Sequence, residues 1–325
     1  MKRLLKIYMD KPELVALWVL IVLVAYFAVA THGLFLNPQN LRGIMSLFPE
    51  LAILALGFGL LMIAGEFDLS IGSMFGLAPM ILCSLATAGW PFWPAFVAAL
   101  LCCCMVGVLN GVITIRFGIP SFITTLGMLF MLRSLAVVLY ARGAAPSLPD
   151  GAPVWAFSAP LGIIRVSVVW MIVLGLLVYL LLERTNFGNW VRATGGSLES
   201  AKAMGIPTAL VKTVCFVICS LFAGIAGIIQ VVRIASPLPS LGEAMELQAI
   251  AAAVIGGIAL AGGVGNVLGV IVGMAIIRVI DAGMIMSRVD ASWFKFAIGL
   301  LIILAVIANA WLGRTARRIK VETAR

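Results

Sequence analysis

Long apolar runs, interrupted by glycine, proline or charge, divide the 325-residue chain into ten candidate helices. They cover residues 14–31, 44–64, 69–88, 92–115, 121–140, 163–182, 209–232, 244–261, 265–286 and 293–312. Most are near the length a helix needs to cross the hydrocarbon core of a membrane, about 20 residues. The pattern predicts an all-α polytopic membrane protein of about ten transmembrane helices, a single transmembrane domain over residues 1–325. Trp18, Trp90, Trp93, Trp155, Trp190, Trp293 and Trp311 fall near predicted helix ends, where amphipathic rings settle at the membrane interface.

Composition excludes the alternative of a water-soluble domain. Hydrophobic residues make up 63% of the chain and charged ones only 11%, against about 25% charged in a soluble domain, and the mean hydropathy is +1.18. The net charge of +9 does not point to nucleic acid, because the basic residues are scattered among apolar runs with no basic helix or aromatic RNA motif. Cys83, Cys102, Cys103, Cys104, Cys215 and Cys219 all lie in apolar stretches without a C-x-x-C pair, and the chain has one histidine. They read as small buried hydrophobes, so neither a metal nor another cofactor is expected.

Charge instead sets orientation through the excess of Lys and Arg in cytoplasmic loops. One set of alternate connections holds Lys2, Arg3, Lys6, Lys11, Arg116, Arg184, Arg192, Lys202, Lys212, Arg314, Arg317, Arg318, Lys320 and Arg325. The other holds only Arg42, Arg142, Arg165, Arg233, Arg288 and Lys295, while Arg133 and Arg278 fall within spans. Both termini are therefore predicted to be cytoplasmic, with the proline-rich stretch 143–162 as the largest outside loop. Lys2, Arg3 and Lys6 ahead of an apolar run ending Ala28-Val29-Ala30 mimic a signal peptide, but the run is long for one and more spans follow, which predicts an uncleaved first helix.

The longest polar connection on the predicted cytoplasmic side is 183–211, ERTNFGNWVRATGGSLESAKAMGIPTALV. Ser197 is a good N-cap, Glu199 suits the positive end of a first turn, and Gly205 before Pro207 makes a stop. A two-turn helix is predicted there, and a helix of that length does not hold itself together in water. Leu198, Ala201, Met204 and Ile206 are its apolar contacts, for the membrane interface or for a partner. A second segment, Gly65 to Ser73, places Glu66 and Asp68 in an otherwise continuous apolar stretch, where charge is costly unless it faces protein or water. Asp68 and Ser70 can cap the helix beginning there; Glu66 has no such role in sequence. Glu66, Asp68 and Ser70 are candidates for either capping or a role in translocation.

Small residues at four-residue spacing, Gly72 and Gly76, Gly107 and Gly111, and Gly265, Gly269 and Gly273, let helices approach closely, first of all within the chain. Leu260-Ala261-Gly262-Gly263 reads as a tight turn. No G-x-x-x-x-G-K-[ST] loop, G-x-S-x-G elbow or H-E-x-x-H motif occurs. The chain is expected neither to bind nucleotide nor to act as an enzyme.

Four ordered stretches carry a resemblance. GEFDLSIGS at 65–73, GIPSFITTLGMLFMLRSLA at 118–136, RTNFGNWVRATGGSLESAKAMGI at 184–206 and ELQAIAAAVIGGIALAGGVGNVLGVIVG at 246–273 are similar to motifs of the permease subunits of bacterial ABC importers for monosaccharides of the ribose, xylose and arabinose type. The chain departs from them at Glu66 and Phe67, and at Ser134, where glycine is usual. The resemblance implies an inner-membrane permease of about ten spans working by alternating access on a monosaccharide or related polyol. It implies three partners besides lipid: an ABC ATPase that binds the ATP, a periplasmic sugar-binding protein, and a second permease copy, identical or related. It also makes 197–205 the coupling helix seated on the ATPase, with Ser197, Leu198, Glu199, Ala201, Met204 and Gly205 as its residues. Two rival readings are a permease for branched-chain amino acids or nucleosides, and a proton-driven secondary transporter using Glu66, Asp68 or Asp281; ATP depletion and dissipation of the proton gradient separate the last from the first.

Overall fold

A computed structural model of the chain describes residues 12–141, 147–149, 151–290 and 293–307. Lys2, Arg3, Lys6, Lys11, Arg142, Pro146, the C-terminal basic residues from Arg314 to Arg325, and Trp311 lie outside the described residues. All ten predicted helices are present. They are α1 (Pro12–Ala30), α2 (Pro38–Ile63), α3 (Ile71–Thr87), α4 (Phe92–Arg116), α5 (Ser121–Ala141), α6 (Val166–Arg184), then α9 (Thr208–Ile234), α10 (Met245–Ile255), α11 (Val267–Met286) and α12 (Trp293–Ile307). The connection between α6 and α9 holds α7 (Asn186–Gly196) and α8 (Leu198–Ala203). Among the described residues, seven helices are long and apolar enough to cross a membrane; α3, α10 and α12 are shorter apolar helices. The protein is thus an all-α, multi-pass membrane protein, with a single two-stranded hairpin, β1 (Pro160–Leu161) and β2 (Ile164–Arg165), among the described residues.

The centre of the bundle is α2, whose residues from Phe48 to Ile63 are all buried. It packs against α9, and α9 in turn packs on α3 and α4, while α11 packs on α1, α2 and α10. Between apolar helices in lipid, close van der Waals contact replaces the hydrophobic effect as the force holding neighbours together. The glycine pairs singled out in the sequence serve this purpose within the chain: Gly72 and Gly76 face the backbone of Gly242 and Leu241, Gly107 and Gly111 face Val217 and Thr213, and Gly269 and Gly273 face Gly256 and Ala252.

One predicted element needs correction. The apolar run 244–261 was expected to be one helix, but α10 stops at Ile255, and residues 256–266 continue as turns and extended chain. The helix ends because Gly256 lies hard against the Gly269 carbonyl and Gly257 takes φ +91°. Leu260 to Gly263 form the expected tight turn, closed by the Gly262 amide donating to Ala259 (2.9 Å) and the Ala259 amide donating to Val264 (3.0 Å).

The bundle gathers residues 64–70, 117–120, 185–207 and 256–266 at one end, called here the near end. The opposite, far end carries the hairpin and an aromatic cluster in which Phe157 meets Phe92, Phe96 and Trp170. Two ion pairs lie toward the far end: Glu50 with Arg233 at 3.2 Å, and Arg278 with Asp281 one turn apart.

Candidate functional site

At the near end, α8 is the two-turn helix expected from the sequence. The Ser197 hydroxyl accepts the Ser200 amide at 3.3 Å, as an N-cap does, with Glu199 in the first turn and Lys202 in the last. Its C-terminus closes as a Schellman motif: Gly205 takes φ +76°, its amide donates to Lys202 at 3.0 Å, and the Ile206 amide reaches back to Ala201 at 3.1 Å. Of the four apolar residues expected to dock the helix, two turn inward and two outward. Ala201 is fully buried and Ile206 packs on the core, whereas Leu198 is 37% and Met204 67% exposed. Glu199 and Gly205 are exposed as well.

The helix before it, α7, was read as loop. Thr185 caps it by accepting the Gly188 amide at 3.3 Å, and Arg192 pairs with Glu183 across the α6–α7 corner. Its last turn meets two other segments closely at glycines. A Cβ on Gly195 would lie 1.9 Å from the Ile63 carbonyl oxygen, and one on Gly262 would lie 2.8 Å from Cα of Gly65. The Gly263 amide donates to Ile63 at 2.8 Å. Three distant parts of the chain, 63–65, 195–196 and 262–263, therefore touch backbone to backbone.

The acidic segment is folded into the same end. Glu66, without a role in the sequence, has a partner: Lys212 in the first turns of α9 donates to it at 2.5 Å, and the two side chains are 11% and 14% exposed. They line a cleft of about 450 Å³ whose other walls include Leu198, Lys202, Thr114 and Ser121. Asp68 and Ser70 stand at the start of α3. Ser70 occupies the N-cap position of α3 but makes no side-chain cap bond. Asp68 instead makes an Asx turn just ahead of the helix, accepting from the Ser70 amide (2.8 Å) and hydroxyl (2.5 Å). Asn110 of α4 donates to both Asp68 (3.2 Å) and Ser70 (3.0 Å), and the three side chains are fully buried. Ser121 and Thr125 of α5 accept the Phe67 and Leu69 amides. Thus 66–70 is bound to α4, α5 and α9, and sequence reasoning missed Asn110, Lys212 and Thr125 because each lies on another helix.

The three acids open to a proton-carrying role are all engaged: Glu66 with Lys212, Asp68 with Ser70 and Asn110, Asp281 with Arg278. The arrangement suits a mechanical joint, in which a capped surface helix abuts a rigid corner of the bundle.

Residues 40–306 match the family model described as the permease component of the branched-chain amino acid transport system. Similar relatives include the autoinducer 2 import system permease protein LsrC of Photorhabdus luminescens, 30% identical over 315 residues, covering 95% of this chain and 93% of the relative. Those of Salmonella typhi (31%, covering 92% and 86%) and Escherichia coli strain K12 / DH10B (32%, covering 86% and 81%) are similar too. No solved structure matches the chain. With the family model spanning most of its length, the chain belongs to the permease components of the branched-chain amino acid transport system family, the membrane subunits of ABC importers.

Proposed function

We propose that this chain is the membrane-spanning subunit of an ATP-driven importer of the bacterial inner membrane, with the near end and both termini in the cytoplasm. In this reading α8 is the coupling helix: an ATPase subunit holds it, and ATP-driven closure of two ATPases moves two permease copies between outward-open and inward-open states. A periplasmic binding protein delivers the cargo. The observation carrying the reading is the two-faced α8, anchored inward by Ala201 and Ile206 while Glu199 and Met204 are exposed and Leu198 lies half-exposed at the edge of the cleft. The excess of Lys and Arg in the connections of that end supports its cytoplasmic placement. Co-purification tests it: Leu198→Glu with Met204→Glu should lower retention of the ATPase about tenfold or more, since apolar anchors at interface centres carry most of the binding energy. Full retention with transport-coupled hydrolysis would refute it.

The cargo proposed is a monosaccharide or a similar polyhydroxylated solute. The relatives named for autoinducer 2 import and the four motifs shared with monosaccharide permeases support this. The family description favours a second reading, a branched-chain amino acid. Measuring which solute the partner binding protein retains separates the two.

A further inference from the structure

The middle of α5 holds a charge that no lipid-facing surface would accept. Arg133 is the thirteenth residue of the 21-residue helix Ser121–Ala141, about 18 Å from its start at 1.5 Å per residue. Its Nη1 donates to the carbonyls of Pro239 (2.7 Å) and Leu241 (2.8 Å). Those carbonyls belong to the segment 235–244, which leaves the end of α9 and folds back onto α3, so that Gly242 and Leu241 oxygens rest against Gly72 and Gly76. Two non-glycine residues at positive φ frame it, Ala235 (+59°) and Ala244 (+60°), a conformation costing about 1 kcal/mol each and held only where the surroundings impose it.

Immediately after the turn, Glu246 stands in the first turn of the short helix α10. Its Oε2 is buried against Gly72 and makes no hydrogen bond to the described residues, and the Arg133 guanidinium acts on it electrostatically. Arg133 and Glu246 are both only partly buried. Toward the far end the polar track continues with exposed Ser240 and with Glu243 and Lys295, 4.0 Å apart and 67% and 77% exposed. Irregular backbone and partly open charge at the depth of a span are tolerated only where they line water or are covered by protein.

We propose that the face formed by α5 and residues 235–248 is the wet wall of the transport path, and that Arg133 and Glu246 hydrogen-bond the hydroxyls of a neutral solute midway along it. A guanidinium carries five N–H donors, and Nη1 alone is engaged by the two carbonyls, so the others remain for a ligand. The carboxylate of Glu246, a residue only partly buried and within the electrostatic reach of Arg133, supplies the acceptor. Together they match a diol, which both donates and accepts. The position of the path stands on these contacts, whereas the solute class rests on the importer reading above.

Thiol labelling tests the path without substrate or ATP. In the full chain with Cys102 and Cys104 replaced by Ala, Leu129→Cys on the Arg133 face of α5 should react with a charged methanethiosulfonate about tenfold or more faster than Met131→Cys and Val138→Cys on the opposite face of α5. Equal or inverted rates would overturn the path. In the complete importer, Glu246→Gln and Arg133→Lys should each raise the KM for radiolabelled D-ribose or D-xylose about tenfold, the loss of one charge-assisted hydrogen bond; an unchanged KM overturns the solute contact. If the wild-type importer carries neither sugar while the labelling pattern holds, the sugar reading falls and the path stands.

Discussion

Several of the chain's internal charges take partners supplied from distant parts of the sequence. Glu66 and Lys212 are 146 positions apart and meet at 2.5 Å beside a cleft. A partly desolvated ion pair loses most when one member is reversed, because the other remains buried without a counter-charge. Glu66→Lys should therefore destabilise the protein by about 2 kcal/mol, less than a fully buried pair because the cleft admits some solvent, and Lys212→Glu in the same chain should restore most of it. The reactivity of the four buried cysteines toward a maleimide dye during heating reports the midpoint of unfolding. Glycines give a sharper contrast. Gly195→Ala drives a methyl into the Ile63 carbonyl and should abolish folded yield, whereas Gly127→Ala, in α5 with no atom within 4 Å of the added carbon, should be neutral or stabilising by up to about 1 kcal/mol. Nothing local in the sequence announces that these two glycines differ; the difference lies in what another segment places against them.

Single elements were legible to different degrees, for physical reasons. Apolar runs locate all ten apolar helices, seven of them long enough to cross a membrane, because a lipid-facing helix must hide its backbone within itself. The α8 helix was also legible, since Ser197, Glu199 and Gly205 mark its ends by chemistry that acts within one turn. Its neighbour α7 was not, because NFGNWVRATGG has two glycines at its end and few apolar residues, and contact with α2 and the Gly262 turn stabilises it. The break after Ile255 was hidden for the opposite reason: a buried extended segment and a buried helix share the same hydropathy, and only Gly256-Gly257 hinted at it. The cap itself is testable. Ser197→Ala removes one hydrogen bond worth about 1 kcal/mol, so amides of 198–204 should exchange with deuterium about fivefold faster while the unfolding midpoint of the whole protein stays within a degree.

For the molecule as a whole, the fold class was evident in composition and the family in four ordered motifs, but the joint at the near end was not. It depends on Asp68, Asn110, Lys212 and Thr125 converging from four separate stretches. The energy source belongs to this scale. If the chain works as the membrane half of an ATP-driven importer, uptake in whole cells should survive a protonophore that leaves ATP intact and stop when ATP is depleted. The inverse result would restore the secondary-transporter reading despite the engaged state of Glu66, Asp68 and Asp281. Topology is checked by reporters fused after residues 120, 207 and 240: the first two should report cytoplasm and the third periplasm.

The glycine contact among residues 63–65, 195–196 and 262–263 bears on how such a machine transmits a stroke. Side chains act as cushions: they rotate, compress and absorb a tenth of a nanometre before passing displacement onward. Here that cushion is missing, with main chain laid directly on main chain and pinned by the bond from Gly263 to Ile63. A shove on α7 and α8 would thus reach the foot of α2 and the turn before α11 with no slack to take up first, like a gear cut without backlash.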